Sequence, residues 1–192
     1  MWKLGSCALV GYVVTMVMSN SDMGRGVWRV LDVRKREEQY HKMKFDIEQR
    51  KVNRSHDGFN GQFTLDEDLT DVFGIRVEIC KYVDGGCKQY QILTDDSVVN
   101  FVNKYAESNK QLILENAGVE PADFPIKKGT YKIDNYLFNY DELPEDGIYG
   151  EFGAVAFLLE GTNEIGCVEL QVEFRKVEDH EDCEDHDEDY ED

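Results

Sequence analysis

No Gly-x-Ser-x-Gly elbow, no His-Glu-x-x-His pair and no glycine-rich phosphate cradle occurs in these 192 residues. The chain therefore carries no signature of serine-hydrolase, zinc-protease or nucleotide-binding chemistry. Histidine is scarce. Of four, His41 and His56 lie in or near the candidate domain, and His180 and His186 stand in the C-terminal acidic run. With so little general acid–base chemistry on offer, the chain reads as a non-enzyme without cofactor. Positive charge is also short, 21 Lys and Arg against 40 Asp and Glu, for a net charge of −19. Such a surface repels phosphate backbones and anionic lipid headgroups, which argues against nucleic acid as a partner.

Long apolar runs are missing too. A spanning helix needs roughly 20 apolar residues, whereas Leu4 to Met18 is interrupted by Gly5, Ser6, Gly11 and Thr15 and gives way to "SNSD". Preceded by Lys3 and ending on small residues at Val17 and Ser19, residues 1–19 read as a signal peptide. The mature product is expected to be secreted and extracellular, with no stable membrane insertion. Cys7 leaves with the leader, so Cys80, Cys87, Cys167 and Cys183 enter an oxidising compartment, where four cysteines permit three complete pairings. The sequon Asn53-Arg54-Ser55 is a glycosylation acceptor suited to the same compartment.

Residues 20–41 show charge without clear period and read as a flexible lead-in; the Lys35-Arg36 pair within them is an ordinary basic patch or a processing site. From Lys42 the period becomes two. Met43, Phe45 and Ile47 alternate with Lys44, Asp46 and Glu48, and Phe59, Gly61, Phe63 and Leu65 alternate with polar neighbours. "GIRVEICKYVDGGCKQYQIL" reads as a β-hairpin turning at Asp84-Gly85-Gly86. With Asp84 and Gly85 as the loop, Ile79 opposes Tyr90 and Val77 opposes Ile92, while Cys80 and Cys87 meet diagonally on the other face. A Cys80–Cys87 bridge is expected there, in preference to Cys80–Cys167.

After the capping cluster Asp95-Asp96-Ser97, the spacing of Val98, Phe101, Val102 and Tyr105 marks one short amphipathic helix. A long connection follows, with room for a further helical turn near Leu112 to Leu114, and Pro121 and Pro125 exclude regular structure at its end. Three more strands run over Thr130–Phe138, Ile148–Leu159 and Ile165–Val177; the last points Val168, Leu170, Val172 and Phe174 inward. "IYGEFGAVAFLLEG" is apolar or small on both faces, as suits a central strand covered on both sides or one lining a cavity. Seven strands and one helix predict an all-β, immunoglobulin-like two-sheet sandwich over residues 42–177, with a β-barrel carrier as the alternative.

Residues 178–192, "EDHEDCEDHDEDYED", hold eleven acids and no Lys or Arg and read as a disordered acidic tail. Its His180, Cys183 and His186 lack a fixed metal geometry, Cys183 is expected to reach Cys167 or another molecule, and Tyr190 sits in a sulfation-like setting. "DEDLTD", Asp66 to Asp71, lacks the glycine and the terminal glutamate of a calcium loop and reads as an exposed acidic turn.

Three stretches, "VNRSHDGFNGQFTLDEDL", "FPIKKGTYKIDNY" and "LPEDGIYGEFGAVAFL", resemble the insect CheA/CheB type of secreted chemosensory protein, a group related to the ML lipid-recognition domain and the ganglioside activator fold. The resemblance spans Lys42 to Val177. It implies a sandwich whose sheets part to hold a lipid or other small hydrophobic ligand, in some members for contact chemosensation or pheromone response through an extracellular receptor. Where that pattern carries cysteines in the helix and before the proline, this chain has Val99 and Phe124, so the implied bridge is absent and the loop before Gly129 is expected to be looser. The ligand-lining candidates are the inward bulky residues Phe45, Ile47, Phe63, Val77, Ile79, Tyr90, Ile92, Tyr131, Ile133, Phe157, Val172 and Phe174. Ordinary core packing accounts for each of them equally well, and only the resemblance points to a cavity. A protein-interaction module using the sandwich surface and acidic tail is the competing reading; a metal-scavenging acidic protein is a weaker third.

Overall fold

Alternating apolar residues become two antiparallel sheets in the computed structural model, which describes residues 22–34, 42–51 and 57–177. The expected leader, Lys35-Arg36, Asn53 and the acidic tail lie outside those residues. The strands are β1 (Met23–Arg34), β2 (Met43–Lys51), β3 (Asp57–Leu65), β4 (Gly74–Val83), β5 (Gly86–Asp95), β6 (Gly129–Tyr136), β7 (Asp146–Ile148), β8 (Gly150–Glu160) and β9 (Asn163–Lys176). Helices α1 (Val98–Tyr105) and α2 (Glu107–Asn116) lie between β5 and β6, and a 3-10 turn spans Tyr140–Glu142. One sheet has the order β5-β4-β8-β9-β1-β7 and the other β2-β3-β6. The fold is the expected all-β sandwich, and among the described residues neither sheet closes into a barrel.

Three expectations need correction. Much of the supposed flexible lead-in, Met23–Arg34, is strand β1, inserted between β9 and β7. Its alternation was hidden because two of its inner positions are glycine. A Cβ at Gly26 would lie 2.4 Å from the Arg175 carbonyl and 2.8 Å from the Phe174 ring, and one at Gly24 would lie 2.5 Å from the Tyr149 hydroxyl. Aromatic rings from elsewhere in the chain fill the places where inward side chains would stand.

Second, the further helical turn expected near Leu112 to Leu114 belongs to a full second helix. Ala106, at φ −154° and ψ 40°, ends α1 and starts α2. Ser97 caps α1 by accepting from the Asn100 amide, the role its position predicts. By contrast "ESNKQLILEN" has no apolar stripe of helical period, and α2 buries only Asn109 and Leu114.

Third, a β-bulge shifts the β4–β5 register. Cys80 pairs with Gln89 but Ile79 pairs with Gln91, leaving Tyr90 as the extra residue. Ile92 therefore sits opposite Glu78 and faces outward, and Leu93 takes the inner place beside Val77. Nearer the turn the register is as expected, and the Cys80–Cys87 disulfide forms diagonally across the hairpin with Cα atoms 5.4 Å apart.

The core lies between the sheets and under the helices, around Phe59, Phe63, Leu65, Phe73, Ile75, Leu114 and Leu158. Val99 and Phe124 both pack against it. The segment before Gly129 is tied down without a cysteine: Leu69 and Ile126 exchange two backbone hydrogen bonds. Asp68, within the acidic turn, takes Lys127 Nζ and the Lys128 amide at 2.9 Å each, and those contacts hold its carboxyl below the usual range.

Candidate functional site

Five of the twelve expected lining residues come together on the inner face of the β2-β3-β6 sheet. Phe45, Phe63 and Tyr131 form a stacked row across the three strands, with centroid separations of 6.5 and 5.0 Å, and Ile47 and Ile133 flank it. Val77, Ile79 and Val172 occupy the inner face of the six-stranded sheet and are half-buried. The sandwich is closed along β2, where a Cβ on Gly166 would lie 2.9 Å from Met43 Cβ and Gln49 Nε2 donates to the Val30 carbonyl. Most of these residues therefore serve the core.

The remaining four lie elsewhere. Phe157 pairs with Arg76 on the outer face of β8, where it is only 4% exposed because the Arg76 guanidinium lies 4.7 Å above its ring. That cover explains a strand that is apolar on both faces. Ile92 is 46% exposed, and Tyr90, at the bulge, is 49% exposed and packs its ring edge-on to Phe152. Phe174, 1% exposed, does face inward, but at the far end of the sheet, between Trp28 at 4.8 Å and Tyr149 at 5.5 Å.

That aromatic cluster adjoins a cleft of about 650 Å³ between β1, the end of β9 and the segment Tyr140–Tyr149. The segment folds as it does because Asn139 Oδ1 accepts from the Asp141 amide and starts the 3-10 turn, which stops before Pro144. It is then stitched to β1. Trp28 Nε1 donates to the Pro144 carbonyl at 2.8 Å, the Gly26 amide donates to the Glu145 carbonyl at 2.8 Å, and Arg25 pairs with the Glu145 carboxylate. Tyr140 Oη accepts from the Val30 amide at 3.2 Å, and Tyr149 Oη donates to the Arg25 carbonyl at 2.8 Å.

The far side of the segment is anchored as firmly. Glu142 accepts from the backbone amides of Ser108 and Asn109 and from Asn109 Nδ2. Asn109 Oδ1 in turn accepts from the hydroxyl of Tyr136 and the Asn139 amide. Burial pushes the Glu142 carboxyl up, but the Asn109 and Ser108 donors outweigh it and hold the group below its ordinary value. Burial also raises the Tyr136 phenol well above its usual range, so it stays a neutral donor.

The cleft is lined by the aromatic residues Trp28, Tyr140 and Tyr149, the aliphatic residues Val27, Leu143 and Val177, and four charged residues, the paired Arg25 and Glu145 together with Asp141 and Lys176. Its volume lies within the roughly 300–1,000 Å³ usual for small-molecule cavities, and it is half open to solvent. No group of three potential metal ligands occurs among the described residues, and all four histidines lie outside them. Cys167 is buried on the outer face opposite Phe157, and its expected partner Cys183 also lies outside them. Sequence reasoning missed Trp28, Tyr140 and Tyr149. The available signal was the outward Arg25 and Arg29 flanking Val27 and Trp28, a period of two obscured by the glycines. No protein-family model matches this chain, and no curated protein matches it.

Proposed function

We propose that the protein is a secreted, non-enzymatic binder of a small hydrophobic or lipid-like ligand, held in the cleft beside β1 and not deep between the sheets. The observation that carries this is the cleft's combination of small-molecule volume with walls of Trp28, Tyr140 and Tyr149 that are locked in place by their own hydrogen bonds. Preorganised walls reduce the ordering cost of binding. Burying roughly 200 Å² of apolar ligand surface contributes about 5 kcal/mol before translational losses, and no covalent chemistry is needed. Secretion is supported by the leader-like N-terminus and by the disulfide; among the described residues no helix is long and apolar enough to cross a membrane. The resemblance to chemosensory proteins adds a context in which an extracellular receptor reads the loaded state.

The test is binding of N-phenyl-1-naphthylamine, followed by its fluorescence. Val27→Trp, which fills the cleft, is expected to weaken binding at least tenfold, while Ile92→Trp on the outer face of β5 leaves it unchanged. Unaltered binding in Val27→Trp would overturn the placement, and no binding by the unaltered chain would overturn the function. A second reading, a protein-interaction surface, is favoured by the exposed apolar side chains Tyr82, Val83, Tyr90 and Ile92 on one hairpin. It predicts a partner lost on Ile92→Glu with ligand binding intact.

A further inference from the structure

We infer that the cleft selects a zwitterionic amphiphile, one whose head group carries an ammonium and an anion on an apolar tail. The inference rests on the reading of this cleft as a small-ligand site. The polar atoms of the aromatic walls are already engaged: Trp28 Nε1 with the Pro144 carbonyl, Tyr140 Oη with the Val30 amide and Tyr149 Oη with the Arg25 carbonyl. Arg25 and Glu145 neutralise one another. Lys176 and Asp141 remain, both exposed, both lining the cleft, and joined neither to each other nor to another described side chain by an ion pair.

An ammonium group is attracted by the Asp141 carboxylate, and an anion by Lys176. A neutral head group leaves both charges without a partner. A singly charged head group meets one attraction and one repulsion. Only a head group of both signs is matched by both, and the −19 net charge of the chain further disfavours a purely anionic ligand. A phospholipid head in a bilayer and a free zwitterionic amphiphile share this chemistry.

The chain has two tryptophans, Trp2 and Trp28, so the full-length Trp2→Phe variant leaves Trp28 emission as the reporter of the cleft. It is titrated below micelle-forming concentrations with four decyl compounds: the phosphocholine, the sulfate, the trimethylammonium and the maltoside. The phosphocholine is expected to bind at least tenfold more tightly than each of the others. Lys176→Ala and Asp141→Ala should each reduce the preference for the phosphocholine over the maltoside, whereas Lys176→Arg keeps it. Equal affinity for all four heads, or a preference for either singly charged one, overturns the selection and leaves the apolar binding site standing. Failure of all four to bind overturns both. Co-sedimentation with phosphatidylcholine vesicles identifies a bilayer source, and binding of the monomeric compound alone identifies a free amphiphile.

Discussion

Glu142 caps a helix that has no cap of its own. At the start of α2 Ala106 offers no side-chain acceptor, and the orphan amides of Ser108 and Asn109 are taken instead by a carboxylate 33 residues further along the chain. The same group fixes the wall of the cleft, so a single residue couples helix and site. Replacing it by Gln should cost about 1 kcal/mol near neutral pH, the usual worth of an N-cap. Because the folded-state pKa of Glu142 is depressed, its contribution is fully present above the unfolded value of about 4.3 and disappears as pH falls through the folded value. The melting-temperature gap between the native chain and Glu142→Gln should therefore close in acid. A gap that stays constant from pH 7 to pH 3 would show that the carboxylate is not the cap.

Between elements, the β4–β5 hairpin carries both a success and a failure of pattern reading. Its disulfide was legible because the Gly85-Gly86 turn dictates the pairing nearby, and Gly153 on β8 leaves room for it, since a Cβ there would approach Cys80 Sγ to 3.1 Å. Beyond the bulge the same count puts Ile92 on the wrong face. Nothing in "KQYQIL" marks Tyr90 as the unpaired residue, whose ring packs edge-on to Phe152 on another strand. Changing both cysteines to serine should lower the unfolding free energy by about 2 kcal/mol, since the closed loop is short. Urea denaturation measures this, and an unchanged midpoint would mean that the hairpin is held by its turn and by β8 alone. Only the part of α2 near Leu112 to Leu114 was legible in the sequence; its first turn is capped by Glu142, which lies far along the chain.

At the scale of the whole molecule, β1 and β9 bring both ends of the described chain to the cleft, through contacts such as Trp28 to Pro144, which are 116 residues apart. Truncation after Val177 removes eleven acids and no wall residue, so affinity for the fluorescent probe should be unchanged. Removing residues 1–34 should abolish binding and broaden unfolding, because β7 loses its pairing partner and Phe174 loses Trp28. Binding that survives the second truncation but not the first would place the ligand elsewhere.

By itself the sequence determined the fold class, the period-two strands, the first helix with its Ser97 cap and the bridged hairpin, since each is encoded by neighbours a few residues apart. Tertiary structure alone decided that Met23–Arg34 is a strand, that Phe157 faces outward beneath Arg76 and that the cleft is walled by Trp28, Tyr140 and Tyr149. Local alternation specifies that a side chain is covered but not what covers it. Where the cover is a ring or a guanidinium from a distant strand, as at Gly26 and Phe157, only the assembled sheets reveal it.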